Sequence, residues 1–425
     1  MLAMRSSILC AAVAVTLLSV GLFRVRRGPA PDSPPPIAFV DVTVVPMSGG
    51  PQLTHVNVLV RGDRIERIGA ESPPAEAKLV DGRGKVLMPG LVDMHVHLPA
   101  EAAAPDVERM LLLWLLHGVT ALRSMQGAPA HLALRASSRT GVLPSPELFL
   151  AGPPLQEELT PEAARRRVRE QGAAGYDFVK VIGGFDRPAY AALVDEARKV
   201  GLPVVGHVPE EIGIDAVLAA RQRSIEHLMG FKAAAMTSDS ALAELARRTR
   251  AAGVYSCPTL NYFATSAESL TSLQTRAGLQ YAAPVDEADW LGKAPPTERA
   301  REALQRLRRE VLALQTAGAK LLVGSDAPDA FMPPGFGFAQ EMRELIKAGM
   351  PTAAIMTAAT RNAAEALGRG PLDGTVQPGA IADLILVAGD PLRSVDDATQ
   401  PSVIVVRGRL WTRAQLEARL SRIPR

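Results

Sequence analysis

Two histidines separated by one residue, His95 and His97, form the clearest metal-binding pattern in the sequence. A β-strand alternates its side chains between two faces, so both imidazoles point to the same side, together with Asp93. They end a short apolar stretch that begins after Gly90 and predicts a strand. Two imidazoles on one face can bind a metal ion together, although a strand with two hydrogen-bonded histidines explains this motif alone equally well.

Four more residues of suitable type stand near the C-terminal ends of other predicted strands: Lys180, His207, His227 and Asp326. Four imidazoles, a carboxylate and one more bridging oxygen donor could hold two divalent ions about 3.5–4 Å apart, an arrangement used for hydrolysis. Zinc suits imidazole and carboxylate ligands best, with manganese, cobalt and iron as alternatives. Taken singly, Asp326 could instead cap a helix, and Lys180 could leave its strand for solvent.

The elements that must position these residues alternate between strand and helix over residues 89–370. The predicted strands are Leu91–His97, Val119–Arg123, Leu148–Ala151, Phe178–Ile182, Val204–His207, Ser224–His227, Val254–Cys257 and Lys320–Asp326. Helical segments such as Pro188–Val200 and Thr297–Ala317 separate most of them. This alternation predicts an α/β fold, a (β/α)8 TIM barrel with its active site at the C-terminal ends of the strands. A doubly wound sheet is the alternative, but no G-x-G-x-x-G motif follows the first strand.

Short alternating apolar stretches on both sides of this region predict a second, smaller domain. We expect residues 37–88 and 371–413 to combine into one composite β-sandwich, followed by a C-terminal tail, residues 414–425. A chain of 425 residues is long enough for two such domains.

The N-terminal 27 residues differ in composition from the rest. An apolar run from Ile8 to Phe23 is flanked by Arg5 and Arg24, and a Pro-rich linker follows at residues 28–36. Residues 1–27 therefore predict a signal peptide or a membrane anchor, with a tether through residues 8–23. We expect an exported bacterial protein that is periplasmic or membrane-anchored.

The overall charge argues against some partners. The 47 basic and 44 acidic residues give a net charge of +3, and no basic stripe interleaved with aromatic residues is present, which argues against nucleic acid. The two cysteines provide neither a disulfide framework nor a cysteine zinc site. We expect a small-molecule substrate and a homo-oligomer.

The combined motifs resemble those of the amidohydrolase superfamily over nearly all of residues 37–411. The similar segments are Pro89–His97 for the first strand, Ile225–His227 for the sixth, Gly324–Ala327 for the eighth, and Gly374–Leu384 for the return into the small domain. Within the superfamily the chain is most similar to the imidazolonepropionase-like branch, which contains binuclear dipeptidases acting on Xaa-Pro or Xaa-Arg/Lys substrates.

This resemblance implies a role for each ligand. His95, His97 and Asp326 would bind one metal ion, and His207 and His227 the other. Lys180 would be an N6-carboxylysine that bridges both ions, which fits a lysine sharing a strand face with Phe178 and Ile182. The implied reaction uses a metal-activated hydroxide, with Asp326 as general acid and base.

The activity implied is cleavage of an amide bond, in a dipeptide or an N-acyl amino acid. Alternatives on the same centre are hydrolysis of a lactone, a cyclic amide or a phosphotriester. A more remote alternative is a non-catalytic relative that keeps the barrel. Where the family often has Arg-Asp after strand 2, this chain has Arg123-Ser124, so we expect a supporting carboxylate to be missing. We expect His55, His117, His131, Tyr255 and Tyr262 to be structural, and residues 329–338 to form a loop over the pocket.

Overall fold

The computed structural model describes residues 34–100, 104–281 and 296–424. The predicted signal or anchor, residues 1–27, lies outside these ranges, as does the Pro-rich linker up to residue 33. Across the described ranges, no helix combines the length and the apolar composition needed to cross a membrane.

Fifteen strands are present in the described ranges. They are β1 (Ile37–Val44), β2 (Leu53–Arg61), β3 (Arg64–Gly69), β4 (Lys78–Asp81), β5 (Val86–Pro89), β6 (Leu91–Val96), β7 (Val119–Ser124), β8 (Glu147–Leu150), β9 (Val179–Val181), β10 (Val204–Gly206), β11 (Ser224–Glu226), β12 (Tyr255–Cys257), β13 (Leu384–Val387), β14 (Val403–Val406) and β15 (Arg409–Thr412).

Fifteen α-helices lie between and after these strands in the described ranges. They are α1 (Ala104–Leu116), α2 (Pro129–Thr140), α3 (Pro161–Ala174), α4 (Arg187–Val200), α5 (Gly213–Ala219), α6 (Lys232–Thr237), α7 (Asp239–Ala252), α8 (Leu260–Ala267), α9 (Leu270–Leu273), α10 (Glu298–Ala317), α11 (Phe336–Lys347), α12 (Thr352–Ala359), α13 (Arg361–Ala366), α14 (Val395–Ala398) and α15 (Arg413–Leu420). Helices α3, α4, α7 and α10 each begin at a Thr, Asp or Ser whose side chain accepts a backbone hydrogen bond, and each ends at a left-handed glycine.

The central strands form the predicted (β/α)8 barrel. Parallel ladders join β6, β7 and β8 into one sheet and β9 to β12 into another. Isolated parallel bridges connect the two sheets at Ala151↔Phe178 and link both to the segment 319–327, at Ser256↔Leu321 and Val96↔Ala327. Neighbour contacts therefore run through all eight positions and return to β6.

The eighth position differs from the predicted strand Lys320–Asp326. Its backbone bonds both neighbours, since Leu322 N donates to Ser256 O and Asp326 N donates to His95 O, but no regular ladder forms. Asp326 itself has a left-handed backbone with φ of 62°. The segment leaves the extended conformation where it delivers its carboxylate, which interrupts the ladder.

Both chain ends build the small β domain together, as predicted. Its eight strands are hydrogen-bonded into one branched sheet, in the order β15-β14-β13-β5-β1-β2-β3 with β4 on β1. The two ends meet where β5 pairs antiparallel with β13, for example Met88 with Ile385. One apolar cluster combines residues from both ends, such as Phe39 and Leu384, so neither end has a complete core alone.

The C-terminal tail, for which the sequence predicts no element, contains most of α15. Thr412 caps this helix, and Leu416 and Leu420 are buried. The apolar residues at a spacing of four explain why the segment folds back onto the protein.

Candidate metal centre

All six predicted ligands line one cavity of about 860 Å³. They lie at or near the C-terminal ends of four barrel strands and of the segment 319–327: His95 and His97 at β6, Lys180 in β9, His207 after β10, His227 after β11 and Asp326 near the end of that segment. The fold thus brings to one place residues that are far apart in the sequence, as expected for the C-terminal face of a barrel.

His95, His97 and Asp326 form the tightest part of the cluster. The Nε2 atoms of the two histidines are 3.2 Å apart. Oδ1 of Asp326 lies 2.9 Å from Nε2 of His97 and 3.3 Å from Nε2 of His95. Three donor atoms therefore converge on one point at the end of the first and eighth strands.

The remaining nitrogens of these two histidines are held by other side chains. Nδ1 of His95 lies 2.9 Å from Oε2 of Glu226, and Nδ1 of His97 lies 2.9 Å from Oε1 of Gln126. Metal-binding histidines characteristically donate the second ring N–H to such a partner, which fixes the ring and directs the other nitrogen at the ion. The donor set of this chain therefore fits a metal ion.

His227 and His207 continue the cluster on the other side. The His227 ring centroid is 4.8 Å from that of His95 and 5.0 Å from that of His207. One ligand atom from each of His95, His227 and Asp326 can be chosen so that all lie within 4.8 Å of one another. Thr259 Oγ1, 2.7 Å from Nδ1 of His227, orients this imidazole.

Three residues of the site have left-handed backbones that non-glycine residues seldom adopt. The φ angles are 59° at His227, 62° at Asp326 and 51° at Thr259. Each stands just after a strand or at the start of a helix on the cavity side. Backbone strain of this kind costs about 1–3 kcal/mol per residue and clusters at functional sites, where it aims side chains.

Burial lowers the pKa of His97, but the carboxylate of Asp326 outweighs this effect and raises that pKa overall. Burial keeps the other three imidazoles neutral. It lowers the pKa of His95 and of His207 to about 4 and that of His227 well below its usual range. For Asp326, burial acts in the opposite direction, but the neighbouring His95 and His97 hold the pKa of the carboxyl well below its usual range. At neutral pH the cluster is thus mostly neutral imidazoles beside a carboxylate, the protonation states that bind metal.

Lys180 is almost completely buried in the wall of this cavity. Burial lowers the pKa of its amine to about 8, against the opposing charges of Glu226 and Asp326. About a tenth of the amine is therefore uncharged at pH 7, far more than for a lysine with an ordinary pKa. An uncharged amine is the form that can react with CO2 to give a carbamate.

Glu226 and Arg123 are the functional pair that the sequence analysis missed. Both side chains are fully buried, and Arg123 Nη2 donates to Oε1 of Glu226 at 2.9 Å. Burial alone would raise the pKa of Glu226, but Arg123 and His95 hold it well below its usual range. Glu226 thus supplies a buried carboxylate beside His95, and Arg123 holds it there. The signal was available: Glu226 is a charged residue inside the short strand that carries His227.

Asp93 shares the strand but does not line the cavity. Its carboxyl accepts hydrogen bonds from the backbone N (2.9 Å) and Oγ (2.6 Å) of Ser325 and from Nε1 of Trp114 (3.2 Å). Since Ser325 precedes Asp326, Asp93 ties the first strand to the segment that carries the catalytic candidate.

The weaker candidates from the sequence divide into those that line the cavity and those that do not. His55, His117, His131 and Tyr255 lie outside the cavity lining, whereas Tyr262 is part of it. Of the expected loop 329–338, Asp329 reaches the cavity, next to Pro328. Tyr262 and Asp329 can therefore contact a substrate.

Comparison with known proteins gives a family match over most of the chain. The model of the amidohydrolase family matches residues 86–410. A solved bottromycin amidohydrolase superposes with a TM-score of 0.74 and 28% identity, covering 92% of this chain and 91% of that one. The fold is also that of a putative prolidase from Bifidobacterium longum, with a TM-score of 0.69 and 24% identity, over 92% of this chain and 99% of that one.

Curated relatives match over shorter parts of their lengths. A dihydroorotase of Mycobacterium leprae is 42% identical over 74 residues, 17% of each chain. An adenine deaminase 2 of Rhizobium etli is 26% identical over 374 residues, 80% of this chain and 53% of that one. The chain thus spans less than a fifth of the first relative and about half of the second.

Proposed function

This chain belongs to the amidohydrolase family, and from that premise we propose that it is a metal-dependent hydrolase that cleaves the amide bond of dipeptides or N-acyl amino acids. The observation that carries the proposal is the convergence of His95, His97 and Asp326, with 2.9–3.3 Å between the atoms that face one another. The likeness to a bottromycin amidohydrolase supports an amide substrate.

The residues that would hold two divalent ions, which we propose to be zinc, are the six that line the cavity. His95, His97 and Asp326 would bind one ion and His207 and His227 the other, with Lys180, as N6-carboxylysine, between them. Such ions, when bound, acidify a water molecule and polarise a carbonyl. The chain itself orients His95 through Glu226 and His97 through Gln126.

Asp326 carries the proton in this proposal. Its carboxylate is ionised at neutral pH and only slightly exposed, so it can accept a proton from the attacking water. The same carboxyl then donates that proton to the nitrogen of the leaving amine. Nε2 of His97 lies 2.9 Å from Oδ1 of Asp326, so both atoms would face the same ion.

Metal content and a substrate panel on one preparation test the function. We expect two divalent ions per chain by elemental analysis, and turnover of dipeptides or N-acyl amino acids by the zinc-loaded protein. Turnover confined to lactones, cyclic amides or phosphotriesters would refute amide specificity. A purified protein that neither retains nor takes up metal would refute the hydrolytic proposal as a whole.

Lys180→Ala tests the bridge separately. The variant should hold fewer than two ions, because the carbamate that joins them cannot form, and two tightly bound ions would contradict the assignment. Growth in 13C-bicarbonate offers a direct measurement, since a carbamate carbon should appear in the NMR spectrum of the wild type and be absent from that of the variant.

We also propose that residues 1–27 act as an export signal or membrane anchor and that the mature protein is a homo-oligomer. Mass spectrometry of the N-terminus, on protein from membrane and soluble fractions, distinguishes a cleaved signal from a retained anchor. Light scattering measures the oligomer. An intact N-terminus on protein found only in the cytoplasm would refute export.

A further inference from the structure

Glu310 is an acidic residue on the buried face of an amphipathic helix. It belongs to α10, where its buried neighbours are Leu307, Val311 and Leu314. Glu310 is 1% exposed. An apolar side chain would normally occupy such a position, because a carboxylate loses its hydration there.

Only one of the two carboxylate oxygens of Glu310 has a hydrogen-bond partner in the described part of the protein. Oε1 accepts a hydrogen bond from Nε of Arg306 at 3.1 Å. Oε2 is buried and has no hydrogen-bond partner among the residues that the structure describes. A buried charged acceptor without a hydrogen-bond donor is unfavourable, so Oε2 is a binding position for a donor.

That donor can come from the site already described. Glu310 and Arg306 both line the cavity that contains the six ligand residues. Burial raises the pKa of Glu310 to about 7, against the lowering effect of Arg306. A cation beside Oε2 would stabilise the ionised carboxylate, whereas a neutral donor would do so less.

We propose that Glu310 binds a protonated amino group of the substrate, so that the enzyme prefers amides that carry an ammonium group near the scissile bond. This inference rests on the proposed function and names the substrate class of that same site. A metal ion fits less well there, because hard cations take six or more oxygen ligands and Glu310 offers one.

The other charges of the cavity fit such a substrate. Apart from the six ligand residues, the lining contains a second acidic side chain, Asp329, and two basic ones, Lys232 and Arg306. A lining that carries both signs suits a zwitterion, since the two basic groups can face a carboxylate while Glu310 faces the ammonium group.

The test compares two amides that differ only in the ammonium group: the alanyl and the propionyl derivatives of one leaving amino acid. The wild type should prefer the alanyl compound. Glu310→Gln keeps the size of the side chain but removes its charge, so kcat/KM for the alanyl compound should fall roughly 10- to 100-fold, mainly through KM. Activity on the propionyl compound should change little, which also shows that the variant is folded.

A second arm compares lysyl with norleucyl leaving groups, because the ammonium group could belong to either side of the bond. Selective loss of the alanyl substrate places it on the acyl side, and selective loss of the lysyl substrate places it on the leaving side. Glu302→Gln, an exposed glutamate of the same helix, is the matched control and should behave as wild type.

Equal losses on all four substrates, or no loss on any, would overturn the inference, because Glu310 would then act only in packing. That result leaves amide hydrolysis by the wild type intact. Absence of wild-type turnover on every amide tested would instead overturn the proposed function, and this inference with it.

Discussion

Asp326 is the side chain on which the proposed chemistry depends most. We expect Asp326→Asn to lower kcat by about 10²–10⁴-fold, because an amide cannot accept the proton of the attacking water. The remaining ligands should still retain metal, which elemental analysis of the variant measures.

Asp239→Asn serves as the control, since Asp239 is exposed on α7 and does not line the cavity. Its kcat should remain near that of the wild type. If Asp326→Asn retained substantial turnover with metal bound, Asp326 would have no acid–base role.

Glu226 and Arg123 form a buried ion pair whose two members depend on each other. Glu226→Gln should lower the free energy of unfolding by about 3–5 kcal/mol, because Arg123 keeps its charge without a counter-ion. It should also weaken metal binding by about 10- to 100-fold, since His95 loses its ionised partner. Urea denaturation of metal-free protein and a metal titration measure the two effects.

The double variant Arg123→Met, Glu226→Gln separates charge from packing. It should recover part of the lost stability, because no buried charge remains. The single variant Arg123→Met is needed for comparison. If the losses of stability in the two single variants simply add up in the double variant, the two side chains do not act as a pair.

Residue types and alternation were enough to predict which side chains meet, but not what holds them. His95 and His97 share a strand face, and Asp326 ends a recognisable segment, so their positions follow from the pattern. The contact of Glu226 with Arg123 was not predicted, because the two residues lie in different strands and 103 positions apart in the sequence. The sequence of each strand alone does not show which side chains of the two strands will meet.

At the scale of elements, α11 buries an acid that opposes folding. Glu341 is fully buried, and one oxygen, Oε1, has no partner among the described residues. Burial raises the pKa of Glu341 from 4.5 to about 8. Between these two pH values the folded protein binds more protons than the unfolded chain, so this residue makes stability fall as pH rises.

Glu341→Gln should therefore be more stable than the wild type above pH 8, by about 5 kcal/mol, and similar to it near pH 4. Denaturant unfolding at a series of pH values measures this. Glu344→Gln on the same helix is the control: Glu344 is paired with Arg308 and Lys347, so its replacement should lower the free energy of unfolding. If the stability of Glu341→Gln followed that of the wild type in parallel from pH 5 to pH 8, burial of Glu341 would not be the cause of the pH dependence.

Most elements followed from periodicity, and the eighth strand shows where periodicity fails. Residues 320–326 have the apolar composition of a strand, yet the positive φ of Asp326 and hydrogen bonds that alternate between two neighbours prevent a regular ladder. The left-handed backbone of Asp326 places its carboxylate beside His95 and His97, which belong to another strand. A local pattern therefore predicts the segment but not its departure from the extended conformation.

At the scale of the whole molecule, a buried ion network joins the barrel to the small sheet. Arg369 pairs with Glu147 of β8 and, at 2.8 Å, with Asp383 beside β13, and all three side chains are less than 10% exposed. Arg369→Met leaves both carboxylates without this partner, so the free energy of unfolding should fall by about 3–5 kcal/mol. Because the network is remote from the cavity lining, kcat/KM should be unchanged.

Arg247→Met is the control for this prediction. Arg247 pairs with Glu244 on the surface of α7, where both side chains are more than half exposed. Its removal should cost no more than about 1 kcal/mol. Equal unfolding midpoints for the two variants in urea would show that the buried network contributes no more than a surface pair.

The pairing of β5 with β13 has a consequence for synthesis. During translation the edge of β5 is made early, but the strand that covers it leaves the ribosome only after the whole barrel has been made. Until then the edge of β5 can pair with other chains, and the apolar residues that the N-terminal strands contribute to the small-domain core remain exposed. Slow elongation or a shortage of chaperones should therefore reduce the yield of folded protein, even when the residues of the metal centre are unchanged.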